Sequence, residues 1–262
     1  MRLSNCTKVL AAAAVVLAAP LAANAVPIYT SWGLLPGATF GGTGIPNTSV
    51  AKTDVFVNGT TQVTLALTAH GRYFNPVVTD NGAGDYYAGT GSNCGSPTDP
   101  IGCPPSPKTG ALWNFGYYIS VAGTDPNFDK FDDFTFTLYY DFDPGVGTAF
   151  GSLGKIDINN ALTAASIPPA SVTLAQDSQN LMFSGFSTPL PLTVMPPVYG
   201  PFNPNATGEY NFYIGFTSNN LPTFSGAVGI DVNVVPVPAA VWLFGSAVGL
   251  LGWVRRRAAH SA

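Results

Sequence analysis

The stretch FTFTLYYDF, residues 134–142, sets Phe134, Phe136, Leu138, Tyr140 and Phe142 at every second position, with Thr135, Thr137, Tyr139 and Asp141 between them. Successive side chains of a β-strand point to opposite faces, so this spacing buries one face and leaves the other polar. A helix would scatter the same apolar residues around its axis. The pattern recurs in TQVTLALTA from Thr61, YNFYIGF from Tyr210 and AVGIDVNVV from Ala227. It is weaker in DVFVN from Asp54, LWNFGYYISV from Leu112, GKIDIN from Gly154, ASVTLA from Ala170 and NLMFSGF from Asn180. About nine strands follow from these runs. Helical spacing is nearly absent, apart from a short turn expected over Asn159 to Ala165. Half-apolar strands joined by turns such as VNGTT, residues 57–61, predict an all-β fold. The expected architecture is an antiparallel β-sandwich of jelly-roll or immunoglobulin-like type, because two such sheets bury their apolar faces against each other. Residues 80–108, dense in Gly, Pro, Ser and Asn, read as one long surface loop.

The chain opens MRLSNCTKVLAAAAVVLAAPLAANA, with Arg2 and Lys8 ahead of an apolar run and Ala23 and Ala25 closing it. This is the layout of a signal peptide handled by the Sec translocon, with cleavage expected between Ala25 and Val26. Removing it takes Cys6 away and leaves Cys94 and Cys103, which predict a local disulfide in an oxidising compartment. Closing so short a loop stabilises a fold by about 2.5–3 kcal/mol in the chain-entropy model. Between the two ends stand five Lys or Arg against fourteen Asp or Glu, a net charge of −9. Such a body repels phosphate, which excludes nucleic acid as a partner.

The other end, VPVPAAVWLFGSAVGLLGWVRRRAAHSA from Val235, has three ordered parts. Pro236 and Pro238 resist helix and hold the start of the segment extended. The apolar run from Ala239 to Val254 makes a helix of roughly 24 Å at 1.5 Å per residue, just short of the ~30 Å hydrocarbon core it would cross. Arg255, Arg256 and Arg257 stop transfer and stay on the cytoplasmic side, which puts the body outside that membrane. The order of a Pro-x-Pro motif (Val235, Pro236, Val237, Pro238, Ala239), one membrane helix and a terminal Arg cluster resembles the PEP-CTERM sorting domain of Gram-negative bacteria. Val237 stands where the name-giving motif has Glu, as in a VPxP-type variant. The resemblance implies an exosortase, a membrane protease that cleaves the tail and releases the protein to the cell surface or the exopolysaccharide matrix. The expected divisions are therefore 1–25 signal peptide, 26–234 secreted β-sandwich and 235–262 sorting signal.

Within the body no G-x-S-x-G elbow, H-E-x-x-H helix, P-loop or G-x-G-x-x-G fingerprint occurs. His70 is the body's one histidine and Glu209 the chain's one glutamate. His70, placed after a strand, reads as a surface or turn residue rather than a general base. Aspartates in DPNFDKFDD and YDFDPG supply oxygen ligands of the kind Ca²⁺ takes, so Asp125, Asp129, Asp141 and Asp143 are the candidate metal ligands. The bland reading makes them solvated turn residues. Tyr86, Tyr87, Trp113, Tyr117, Tyr118, Tyr139 and Tyr199 are available to stack on sugar rings. The sequence thus predicts an exported, non-catalytic surface or matrix protein without a required cofactor. A carbohydrate- or Ca²⁺-dependent adhesion module and a secreted hydrolase are the alternatives.

Overall fold

The computed structural model describes residues 27–42, 45, 48–74, 77–96, 108–221 and 225–236. Its strands are β1 (Ser31–Gly33), β2 (Val50–Val57), β3 (Thr61–Gly71), β4 (Thr79–Asp80), β5 (Asp85–Gly89), β6 (Ser92–Asn93) and β7 (Gly110–Ala111). There follow β8 (Trp113–Gly123), β9 (Phe134–Tyr140), β10 (Gly154–Asp157), β11 (Leu174–Gln179), β12 (Val194–Met195), β13 (Gly208–Ser218) and β14 (Ser225–Val235). Two short helices, α1 (Ile158–Ala164) and α2 (Ser184–Ser187), interrupt them.

One sheet runs β1-β2-β3-β8-β11, a second runs β12-β10-β9-β13-β14-β5-β4, and β6 with β7 forms a small ladder of its own. The two large sheets lie face to face. From one come Val63, Leu65, Leu67, Trp113, Phe115 and Ile119, and from the other Phe136, Leu138, Phe212, Ile214, Ile230 and Val232, all in one buried cluster. Phe115 stacks on Phe212 with ring centroids 4.5 Å apart, and Trp113 meets Phe212 edge-on at 6.0 Å. The N-terminal segment ties one edge. Ile28 exchanges two backbone hydrogen bonds with Gly229 of β14, and β1, three residues on, pairs with β2 of the opposite sheet.

Four expectations about elements change. The stretch 80–108 is not all loop: DYYAG forms β5, which pairs with β14 in parallel, so the sandwich is not antiparallel throughout. ASVTLA starts as a 3-10 turn over Pro169–Ser171, and the strand begins only at Leu174. NLMFSGF is no strand. Asn180 is fully buried; its Oδ1 accepts from Ala111 N and Met182 N, while its Nδ2 donates to Ala111 O and Trp113 O. One side chain thus takes the backbone bonds a neighbouring strand would take, and the chain turns into α2. GKIDIN ends at Asp157, whose carboxylate accepts from Asn160 N at 2.8 Å and caps α1.

Among the described residues no helix is long and apolar enough to cross a membrane. Ala23, Ala25 and Val26 of the expected signal cleavage lie outside the described residues, as do Val237, Pro238 and Ala239 and the cluster Arg255, Arg256 and Arg257.

Phe212 sits where the two sheets meet. Replacing it by Ala removes a stacked ring without space to collapse, and Phe212→Ala should cost about 3–5 kcal/mol. Urea denaturation checks this: the midpoint should fall with the slope unchanged. A loss under about 1 kcal/mol would mean that the aromatic seam does not hold the sheets together.

Candidate functional site

The register of the larger sheet gathers polar residues that lie far apart in the sequence. Phe212 of β13 faces Tyr140 on one side and Ile230 on the other, with their side chains in the core. One step along, Asn211 faces Asp231 of β14, which in turn faces Asp85 of β5. Because strand side chains alternate, Asn211, Asp231 and Asp85 form a row across three neighbouring strands on the outer face. Asp141 lies just past the end of β9, where its Oδ1 accepts from Asp143 N, and its charge reaches Tyr213 on the same face. Glu209, two residues before Asn211, shares that face.

Outer-face residues of a sandwich are normally solvated. Here Asp141 is 0% exposed, Asn211 1%, Asp231 2% and Glu209 7%. The chain after Asp141 folds back over them. Pro144 O accepts from Glu209 N at 3.2 Å. Gly208, at φ +150°, permits this approach, since a Cβ there would fall 1.9 Å from Pro144 O. Farther along, Phe150 packs on Tyr139 and Tyr213, at 4.6 and 5.9 Å between centroids.

The row is acidic, and among the described residues no cation pairs with it. Asn211 Nδ2 donates to Asp231 Oδ1 at 2.8 Å and to Glu209 Oε1 at 3.3 Å. Asp141 Oδ1 accepts from Asp143 N at 2.8 Å. Among the described residues Asn211 Oδ1 and Asp141 Oδ2 are buried without a hydrogen bond of ordinary length, and the Thr148 side chain lies close enough to Asp141 to oppose part of the rise in its pKa. Among the described residues, Lys52 pairs with Asp54 and Lys130 with Asp129, and no ion pair reaches the row. Burial pushes the Asp231 carboxyl up to about 7; the Asn211 hydrogen bond opposes this, and the charges of Glu209 and Asp85 add to it. Burial likewise pushes Asp141 up to about 6. The Tyr213 hydroxyl rises to about 12 through burial, then through the charges of Asp231, Glu209 and Asp141.

The four acids expected as metal ligands are not brought together. Asp125 accepts from Asn127 N and Asn58 Nδ2, which hold its carboxyl below the usual range, the Asn127 amide first. Asp129 is paired with Lys130 at 2.9 Å. Asp143 accepts from Gly145 N in its own turn. Asp125 and Asp143 therefore fit the turn reading, whereas Asp141 does not. Among the described residues no group of three or more Asp, Glu, His or Cys side chains is placed to hold a metal ion.

His70 is not a surface residue. It stands near the end of β3, 6% exposed, and its Nε2 lies 3.0 Å from Ser178 Oγ on β11. Its Nδ1 lies 3.3 Å from Gly71 O, and burial lowers its pKa, which keeps the ring neutral near pH 7. Asn114 Nδ2 donates to the same Ser178 Oγ at 2.8 Å, and Asn180 Nδ2 donates to Asn114 Oδ1 at 2.7 Å. Of the aromatics considered for sugar stacking, Tyr86 and Trp113 are core residues, Tyr117 and Tyr118 are half-buried, and Tyr87 and Tyr199 are exposed. Tyr139 lines a notch of about 270 Å³ with Ile28, Phe150 and Tyr213. Cys94 is disulfide-bonded, and Cys103, its expected partner, lies outside the described residues. Val235 and Pro236 are exposed at the end of β14. No family model, curated protein or solved structure matches this chain.

The row gives stability a sign with pH. An acid whose pKa is raised on folding holds its proton more tightly when folded. Its contribution is complete below about 3.8 and is lost as pH rises through about 7 for Asp231 and about 6 for Asp141. Stability should therefore fall between pH 5 and pH 8, and Asp231→Asn should remove roughly 2–4 kcal/mol of that fall. The neutral His70 pulls the other way below pH 6.5, but equally in both proteins. Urea midpoints across pH 5–8 decide the matter; parallel curves for the two proteins would contradict it.

Proposed function

We propose that this chain is an exported, non-catalytic surface or exopolysaccharide-matrix protein, delivered by a PEP-CTERM-like sorting signal at its C-terminus. The observation that carries this reading is the order of Pro-x-Pro motif, apolar run and Arg block directly after the last strand. β14 ends at Val235, whose carbonyl still accepts from Thr90 N, and Val235 and Pro236 are exposed, so the motif starts at the edge of the sandwich. A protease needs extended, accessible backbone, and two prolines beside an exposed strand end supply it. In this reading the signal peptide engages the Sec translocon and the tail halts in the inner membrane. An exosortase-type protease then releases a product that starts at Val26 and ends near Pro238, with extracellular polysaccharide as the surrounding partner.

Intact-mass analysis of protein recovered from the native host tests it. The expected product starts at Val26 and ends near Pro238, and the double variant Pro236→Ala/Pro238→Ala should accumulate in the inner membrane with Arg257 still attached. Release that continues unchanged in the double variant would overturn the sorting reading.

The His70–Ser178 contact favours one second reading, a secreted hydrolase in which neutral His70 draws the proton from Ser178. A fluorophosphonate probe should then label wild-type chain and spare Ser178→Ala and His70→Ala. No labelling of the wild type would leave the contact as a structural hydrogen bond.

A further inference from the structure

Two Asn-Gly pairs occur in the chain, Asn58-Gly59 and Asn81-Gly82. An Asn side chain followed by Gly can react with its own backbone, because Gly has no Cβ to shield its nitrogen. All four residues are exposed, so exposure does not separate the pairs. Their hydrogen bonds do. At the second pair Gly82 N, the nitrogen that would attack, donates to Asp80 Oδ1 at 2.9 Å. Asn81 Oδ1 accepts from Ala83 N at 2.8 Å and from Asp85 N at 3.2 Å, while its Nδ2 donates to Asp85 Oδ2 and its N to Asp85 O. At the first pair Gly59 N donates no hydrogen bond among the described residues. There the Asn58 amide makes one, from Nδ2 to Asp125 Oδ2 at 3.1 Å.

We propose that Asn58 is a site of spontaneous self-modification, deamidating through Gly59 to aspartate and isoaspartate, and that Asn81, also followed by Gly, is protected by its loop. Gly59 N gives its proton to solvent and bonds to Asn58 Cγ; the Cγ–Nδ2 bond breaks, and ammonia leaves a five-membered succinimide behind. Water then opens that ring at Cγ to give aspartate, or at the backbone carbonyl to give isoaspartate. Water enters and ammonia leaves, with no oxidant and no enzyme. Asn58 at φ 51° and Gly59 at φ 68° are both left-handed, as in a type I′ turn, at the tip of the hairpin between β2 and β3. That turn holds the Gly nitrogen away from the preceding Cγ, so the reaction passes through an opened tip and its rate follows the cost of opening. The cost is small at Asn58. Thr60 N lies 3.3 Å from Val57 O, longer than an ordinary backbone bond, and Asp125 is the remaining tie. Opening the loop around Asn81 breaks all of the bonds made by Gly82 N and by the Asn81 amide. The product puts a carboxylate against Asp125 and turns a hydrogen bond into repulsion, and because the change runs one way it marks the age of each molecule. It rests on the hairpin alone, whether or not the chain is exported.

The test incubates the 262-residue chain in detergent at pH 7.5 and follows its tryptic peptides by mass. Cleavage after Lys52 and Arg72 yields 53–72, whose one asparagine is Asn58, and the next peptide, 73–108, holds Asn81. Each deamidation adds about 1 Da, and a second peak of equal mass at another elution time identifies isoaspartate. In the folded chain Asn58 should convert at least about tenfold faster than Asn81. In urea, where neither turn is held, the two should convert within about twofold of each other. Asp125→Ala should speed the folded-state change at Asn58 by about threefold. Equal rates at Asn58 and Asn81 in the folded chain would overturn the proposal. So would an Asn81 that converts first, or an Asn58 that converts in urea and stays intact in the fold. An unchanged rate in Asp125→Ala would overturn the role given to that contact.

Discussion

The rings of Phe115 and Phe212 stack between two sheets that share no ladder, and the rest of the structure depends on that seam. The sheets are held face to face by apolar packing, and the packing is mostly aromatic: Trp113, Phe136, Phe216 and Tyr140 extend it in both directions. A seam of this kind demands strict alternation, since a strand shifted by one residue would turn its apolar side chains to the outer face. β13 shows the constraint most clearly. Tyr210, Phe212, Ile214 and Phe216 fill the core, and Glu209, Asn211 and Tyr213 are sent outward by the same periodicity.

The outward set would be unremarked if it were wet. It is buried because the chain between β9 and β10 crosses the outer face, pinned by Pro144 against Glu209 and by Phe150 against Tyr139 and Tyr213. The sandwich therefore has a polar layer outside its apolar one, with carboxylates that desolvation drives toward neutrality. A proton satisfies such a group at low pH. At neutral pH the ionised form has no Lys or Arg partner among the described residues, which is why stability should fall as pH rises.

The apolar half of this arrangement was legible in the sequence and the polar half was not. FTFTLYYDF, TQVTLALTA, YNFYIGF and AVGIDVNVV all became strands, because their alternation is long and their cross-strand partners are equally regular. DYYAG was hidden among glycines, since its pairing with β14 is parallel and remote, and nothing local marks a strand whose partner comes at the end of the body. NLMFSGF misled for the opposite reason: its spacing suited a strand, but the Asn180 side chain captured the backbone that would have been its partner. For the site, the sequence groups acids by proximity along the chain, which drew attention to DPNFDKFDD. The register groups them by row, and puts Asn211 with Asp231 and Asp85. The available signal was a Glu, an Asn and an Asp at the outward positions of two of the most apolar strands, GEYNFYIGF and AVGIDVNVV.

The central claim is that this outer face holds buried carboxylates whose charge no Lys or Arg matches among the described residues. Carbon-13 NMR of the labelled Asp231 side chain measures it most directly. The carboxyl should titrate at about 7. A titration near 3.8 would contradict the account.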